Sequence, residues 1–146
     1  MRRSISVALL IVGCSPVLWA PPAAGDTDKL TAAVQAVRST SCGPLRADPV
    51  VQQAAENTNR SNVLWLEQMS RAQPVPDAMP LLKDLGYGGT KATILYGAAM
   101  NEADSIKALL LQGYRKIPDC SYSDVGVSMM QENSAGWILS TVLLAA

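Results

Sequence analysis

The chain has 146 residues, 49% hydrophobic and 16% charged, with 12 basic and 12 acidic side chains and no histidine. That is enough for one domain around one core, too apolar for a disordered tail, and its zero formal charge leaves no electrostatic footprint for nucleic acid. The lack of His excludes Ser-His-Asp triads, Cys-His dyads and imidazole zinc sites, and three cysteines are too few for an all-thiolate zinc site.

Met1–Gly25 reads as an export signal. Arg2 and Arg3 form its basic start, Ile5–Val12 its apolar run, and Pro21-Pro22-Ala23-Ala24-Gly25 its small-residue exit. Ser15-Pro16 interrupts the apolar stretch, which is too short to span a bilayer. Cleavage after Gly25 leaves residues 26–146 as a single domain with ten basic and twelve acidic groups, secreted or held in the cell envelope and without a transmembrane span. Ile11-Val12-Gly13-Cys14 offers a second route, in which Cys14 is acylated and becomes the first residue; an uncleaved anchor is a third. Ordinary cleavage leaves Cys42 and Cys120, an even number in an oxidising compartment, and predicts a bridge between them; the alternative is two free buried thiols.

From Asp26 onward the pattern turns helical. Asp26 and Thr27 can cap a helix over Asp28–Ser39, with Leu30, Ala33, Val34 and Val37 on one face. Asp48-Pro49 is an N-cap acid followed by proline at the first helical position, and its stripe runs to about Arg71. Thr58 and Asn62 interrupt that stripe with polar groups, while Glu56–Arg60 and Glu67–Arg71 read as solvated pairs four apart. Asp77–Leu85 reads as a short helix ended by Gly86, and Tyr87-Gly88-Gly89 as a turn. Lys91–Tyr96 is predicted as a strand. Asn101 opens a helix that buries Ile106, Leu109 and Leu110 and ends at Gly113, with one further turn to Ile117.

Tyr122–Met130 alternates Val125, Val127 and Met129 on one face, with Gly126 where another backbone comes close. Gly136–Leu144 is apolar on both faces, as a central covered strand requires, and pairs with its predecessor as an antiparallel hairpin. Helices first, then a strand, a helix and a hairpin predict an α+β, three-layer α-β-α sandwich with a small, mostly antiparallel central sheet.

Several of these stretches resemble the bacterial secreted branch of the CAP superfamily (SCP-like). Pro44–Pro49 is similar to the family's entry to its second helix, Ala54-Ala55 to a small pair within it, and Leu85-Gly86-Tyr87 to the segment before its Gly-Glu-Asn strand. Tyr122-Ser123-Asp124-Val125-Gly126-Val127 resembles the family's Tyr/Phe-Thr-Glu-Val-Gly-Val strand, and Trp137 the aromatic that opens its last one. The resemblance implies a cleft with two His and acidic partners able to hold a divalent metal. Here Thr58 falls near the first His and Tyr114 at the second, flanked by Gly113 and Arg115, with Ala92 and Thr93 in place of Glu-Asn. These replacements remove the metal ligands and the groups that exchange protons near neutral pH.

No catalytic residue, metal or cofactor is therefore expected. The residual acids Glu56, Glu102 and Asp124 read as surface or capping carboxylates. The expected function is a non-catalytic exported module whose cleft, bordered by Thr58, Asn62, Trp65, Thr93, Tyr114 and Arg115, takes a small apolar or amphipathic, lipid-like molecule. The alternatives are an envelope interaction or structural protein that uses the loops at Arg71–Pro76 and Glu132–Ala135, and a metal-dependent hydrolase, which the lack of His disfavours.

Overall fold

The computed structural model describes residues 26–146 except Ala72 and Val75. The expected export signal and Cys14 lie outside the described residues. Four helices and four strands are found among them: α1 (Thr27–Arg38), β1 (Arg46–Ala47), α2 (Pro49–Leu66), α3 (Met79–Asp84), β2 (Ala92–Ala99), α4 (Glu102–Gly113), β3 (Asp124–Gln131) and β4 (Ile138–Ala145). The sheet order is β1-β3-β4-β2; β1 runs parallel to β3, and the other two pairings are antiparallel. Val125↔Leu144 and Leu95↔Val142 set the register. The last two strands are the predicted hairpin, and β4 is central and buried along nearly its whole length.

Strand alternation sorts the core into two layers. Leu95, Val125, Val127, Met129, Val142 and Leu144 face α1 and α4, where they meet Leu30, Val34, Leu109 and Ile117. Leu143 and Ala145 face the other way, onto Val51, Ala54 and Ala55 of α2 and Leu82 of α3. The architecture is thus the predicted three-layer α-β-α sandwich.

The caps follow the sequence. Asp26 Oδ1 accepts from the Lys29 amide (3.3 Å), Asp48 Oδ1 from those of Val50 (2.9 Å) and Val51 (3.1 Å), and Asn101 Oδ1 from that of Asp104 (2.9 Å). Gly86 terminates its helix at φ +88°. Gly126 meets α2 so closely that a Cβ there would overlap the Val51 carbonyl.

Three boundaries and one additional strand differ from the expectation. α2 stops at Leu66 rather than near Arg71, because Gln68 adopts φ +57° and lets the Gln68 and Met69 amides donate back to the carbonyls of Trp65 (3.1 Å) and Leu64 (2.8 Å). Asp77 binds the Met79 amide (2.9 Å) from outside a helix that begins only at Met79. β2 extends to Ala99, carried by pairing with β4. β1 is too short to show a period, and it forms because the extended chain before Asp48 lies along β3.

One buried cation ties the loops of the sandwich together. Arg38, 3% exposed at the end of α1, donates to the carbonyls of Gly43 (3.1 Å), Ile117 (3.0 Å), Asp119 (2.6 Å) and Tyr122 (2.6 Å). Beside it Cys42 and Cys120 form the expected disulfide, with Cα atoms 5.5 Å apart.

Candidate functional site

A cavity of about 530 Å³ lies between the C-terminal half of α2 and the strands β2 and β4. α2 supplies Asn59, Asn62, Trp65 and Leu66; β2 supplies Tyr96 and Ala98; Leu139 of β4 forms the floor, and Pro74 and Pro76 close one side. The spacing of Asn59, Asn62 and Leu66 keeps them on one helical face, and the two-residue period of β2 aims Tyr96 and Ala98 at them. A second cavity of about 380 Å³ shares Leu66, Ala98 and Leu139 with the first and runs on to Trp137. Together they make a mainly apolar groove with a few polar groups.

Asn59, Asn62, Tyr96 and Ser140 are the polar residues of the first cavity, and Glu132 and Ser134 those of the second. Asn59 is fully buried, and its Nδ2 donates to the Leu139 carbonyl (3.0 Å) and Ser128 Oγ (3.1 Å). Those bonds fix the amide's orientation, and its Oδ1 has no partner among the described residues. Burial raises the Tyr96 hydroxyl above the ordinary tyrosine pKa, and the neighbouring Asn62 amide offsets this in part. At pH 7 Tyr96 is therefore a neutral donor and not a base.

The Glu132–Trp137 turn at the far end is built around one carboxylate. Glu132, 2% exposed, accepts from the amides of Ser134 (2.7 Å), Ala135 (2.7 Å) and Trp137 (3.4 Å), and from the Ser134 hydroxyl. The Ser134 hydroxyl and these amides outweigh burial and bring the carboxyl down to about 2. Glu67 spans from the end of α2 to the Asn133 amide (2.7 Å) and side chain (3.0 Å), holding this turn beside the helix.

The sheet divides the six residues singled out in the sequence. Asn62 and Trp65 line the main cavity, and Thr58 lines a smaller neighbouring one of about 250 Å³ that shares Pro74 with it. Thr93 pairs with Leu144 and so lies on the α1/α4 side. Tyr114 caps α4 there, 64% exposed, and the exposed Arg115 follows it. Sequence reasoning did not select Tyr96, Asn59 or Leu139. Part of the signal was available: Asn59 and Asn62 are polar three apart on an apolar stripe, and alternation sets Tyr96 on the face of Ala92 and Ile94, opposite Thr93.

The three acids have structural partners. Glu56 accepts from Gln52 (2.7 Å), and Glu102 from the Asp26 amide (3.2 Å). Asp124 takes Arg46 Nε (2.8 Å) and the Tyr87 hydroxyl (2.6 Å). Burial pushes Asp124 up, but Arg46 and Tyr87 outweigh it and hold the carboxyl below its ordinary value. Among the described residues no group of three His, Cys, Asp or Glu side chains gathers in a way that could hold a metal, and no helix is long and apolar enough to cross a membrane.

A four-stranded sheet sandwiched by these helices is a CAP-like (SCP-like) fold. Among solved structures it matches an outer surface protein from Borrelia burgdorferi, with a TM-score of 0.61 at 11% identity over 82% of this chain and 91% of that one. It also matches a cysteine-rich secretory protein from Staphylococcus aureus, with a TM-score of 0.57 at 14% identity over 85% of this chain and 40% of that one. The chain thus spans well under half of the staphylococcal protein. No family model and no curated protein matches the sequence. Identities this low speak for the fold alone. The disulfide and the outer-surface neighbour are compatible with secretion or the cell envelope.

Proposed function

We propose that this CAP-like domain is an exported, non-catalytic binding module for a small apolar or amphipathic, lipid-like molecule held in the groove between α2, β2 and β4. The observation that carries the reading is the cavity itself: about 530 Å³, walled by Trp65, Leu66, Ala98, Leu139 and two prolines, with Asn62 and Tyr96 as its polar end. That size and that ratio of apolar wall to polar contact suit an acyl or ring system with one polar head. A chain without His, in which Asp124 is engaged by Arg46 and Tyr87 and Glu132 by backbone amides, supports binding over acid–base chemistry.

The test is uptake of cis-parinaric acid by the wild type and by Ala98→Phe, which fills the cavity from an exposed strand position. Ala98→Phe is expected to weaken uptake about tenfold or more, with the circular dichroism spectrum and melting temperature kept. Equal uptake by the two proteins rejects the reading.

A further inference from the structure

We infer that one pole of the molecule, where α2 ends, β2 ends and the β3–β4 turn projects, is a surface that docks on a phospholipid bilayer. Eight large hydrophobic side chains are prominently exposed among the described residues. Six of them, Leu64, Trp65, Leu66, Met69, Met100 and Trp137, belong to this pole. The register fixes the grouping: Ala99 pairs with Ile138, so Met100 and Trp137 leave the sheet at the same end. Glu67 ties the end of α2 to Asn133 in the turn between the strands. The remaining two, Leu111 and Tyr114, sit apart on α4.

The described chain enters the domain at this pole. The described residues begin at Asp26, whose amide donates to Glu102, two residues beyond Met100 (3.2 Å). Thr27 lines a groove with Gln131 and Asn133, which again belong to this pole. The 25 residues before Asp26 include the apolar runs Ile5–Val12 and Val17–Trp19. Only the eleven residues 15–25 separate Cys14 from the domain, a reach of at most about 40 Å. Membrane attachment through that segment, in the acylated-Cys14 or uncleaved form that the sequence offers beside ordinary cleavage, brings this pole and not the opposite one to the bilayer.

The pole's chemistry suits that position. Two tryptophans, two methionines and two leucines offer the mixed aromatic and aliphatic surface that inserts at headgroup depth. Glu132 is turned into its own loop and Glu67 onto Asn133, so neither carboxylate caps the apolar tip. With acids and bases both present, contact rests on apolar insertion and not on anionic lipid.

The inference does not need the cavity to be filled. It is tested in the full chain carrying Trp19→Phe, so that Trp65 and Trp137 alone report, on phosphatidylcholine vesicles brominated near the glycerol backbone. Both indoles are expected to lose most of their emission, and Met69→Ser/Met100→Ser to lower the affinity for the vesicles about tenfold or more. Leu111→Ser, on α4 away from this pole, should leave both the quenching and the affinity unchanged. Unquenched indoles on vesicle-bound protein, or an affinity unaffected by the two methionine substitutions, overturn the proposal. So does burial of the indoles by self-association in the absence of vesicles.

Discussion

Gln68 is the one non-glycine residue with positive φ among the described residues, and it stops α2 where the cavity begins. The left-handed conformation strains a side chain that carries a Cβ, while glycine adopts it freely. Gln68→Gly is therefore expected to raise stability by about 0.5–1 kcal/mol, read as a higher urea midpoint with an unchanged slope. At the same scale, Asp124 and Glu132 define an acid limit. Both folded-state values are depressed, Glu132 to about 2 from 4.5 and Asp124 below 3.8. Their contributions are present in full above the unfolded values and disappear as pH falls through the folded ones. The melting temperature should hold from neutrality to about pH 5.5 and then fall steadily to about pH 2. Glu132→Gln should flatten part of that fall. A melting temperature constant down to pH 3 would refute the assignment.

Between elements, close approach decides more than propensity. Gly126 lets β3 pass under the first turn of α2, where the Gln52 carboxamide pairs with the Val127 amide (2.9 Å) and carbonyl (2.8 Å) much as a neighbouring strand residue does. A methyl group at Gly126 meets backbone atoms of Val51 and Gln52, which cannot rotate away. Gly126→Ala should cost about 2–3 kcal/mol in urea unfolding, far more than the same change at the open Gly88. This contact was legible in the sequence because glycine interrupted a buried alternating strand, and β4 was legible because it is apolar on both faces. The end of α2 was not, since apolar spacing continues through Met69 while a single left-handed residue ends the helix. Nor was the side of the site: alternation sets Thr93 and Tyr96 on opposite faces of the predicted strand, but which face meets α2 is fixed only by the pairing of β2 with β4. Arg38 was equally hidden, because four carbonyls converge on it from segments up to 84 residues away.

Across the whole molecule the two poles contrast. At one, apolar side chains and the groove are open. At the other, the Cys42–Cys120 bridge and the Arg38 fork both join the loop after α1 to the segment before β3. The bridge closes a separation of 78 residues, for which loop-closure entropy gives about 4 kcal/mol. The fork holds the same segments by hydrogen bonds that survive reduction. Reduced protein should therefore unfold at a lower urea concentration yet remain folded at neutral pH and still take up cis-parinaric acid, since the groove lies at the far end. Arg38→Met should cost about 3 kcal/mol or more, because four carbonyls lose their donor at once. Lysine should not rescue it, lacking the planar fork. The two restraints act on one junction, so the loss from Arg38→Met should differ between oxidised and reduced protein instead of adding to the loss from reduction. Simple additivity in that cycle would mean that bridge and fork stabilise separate parts of the fold, and that the closed pole is not one cooperative unit.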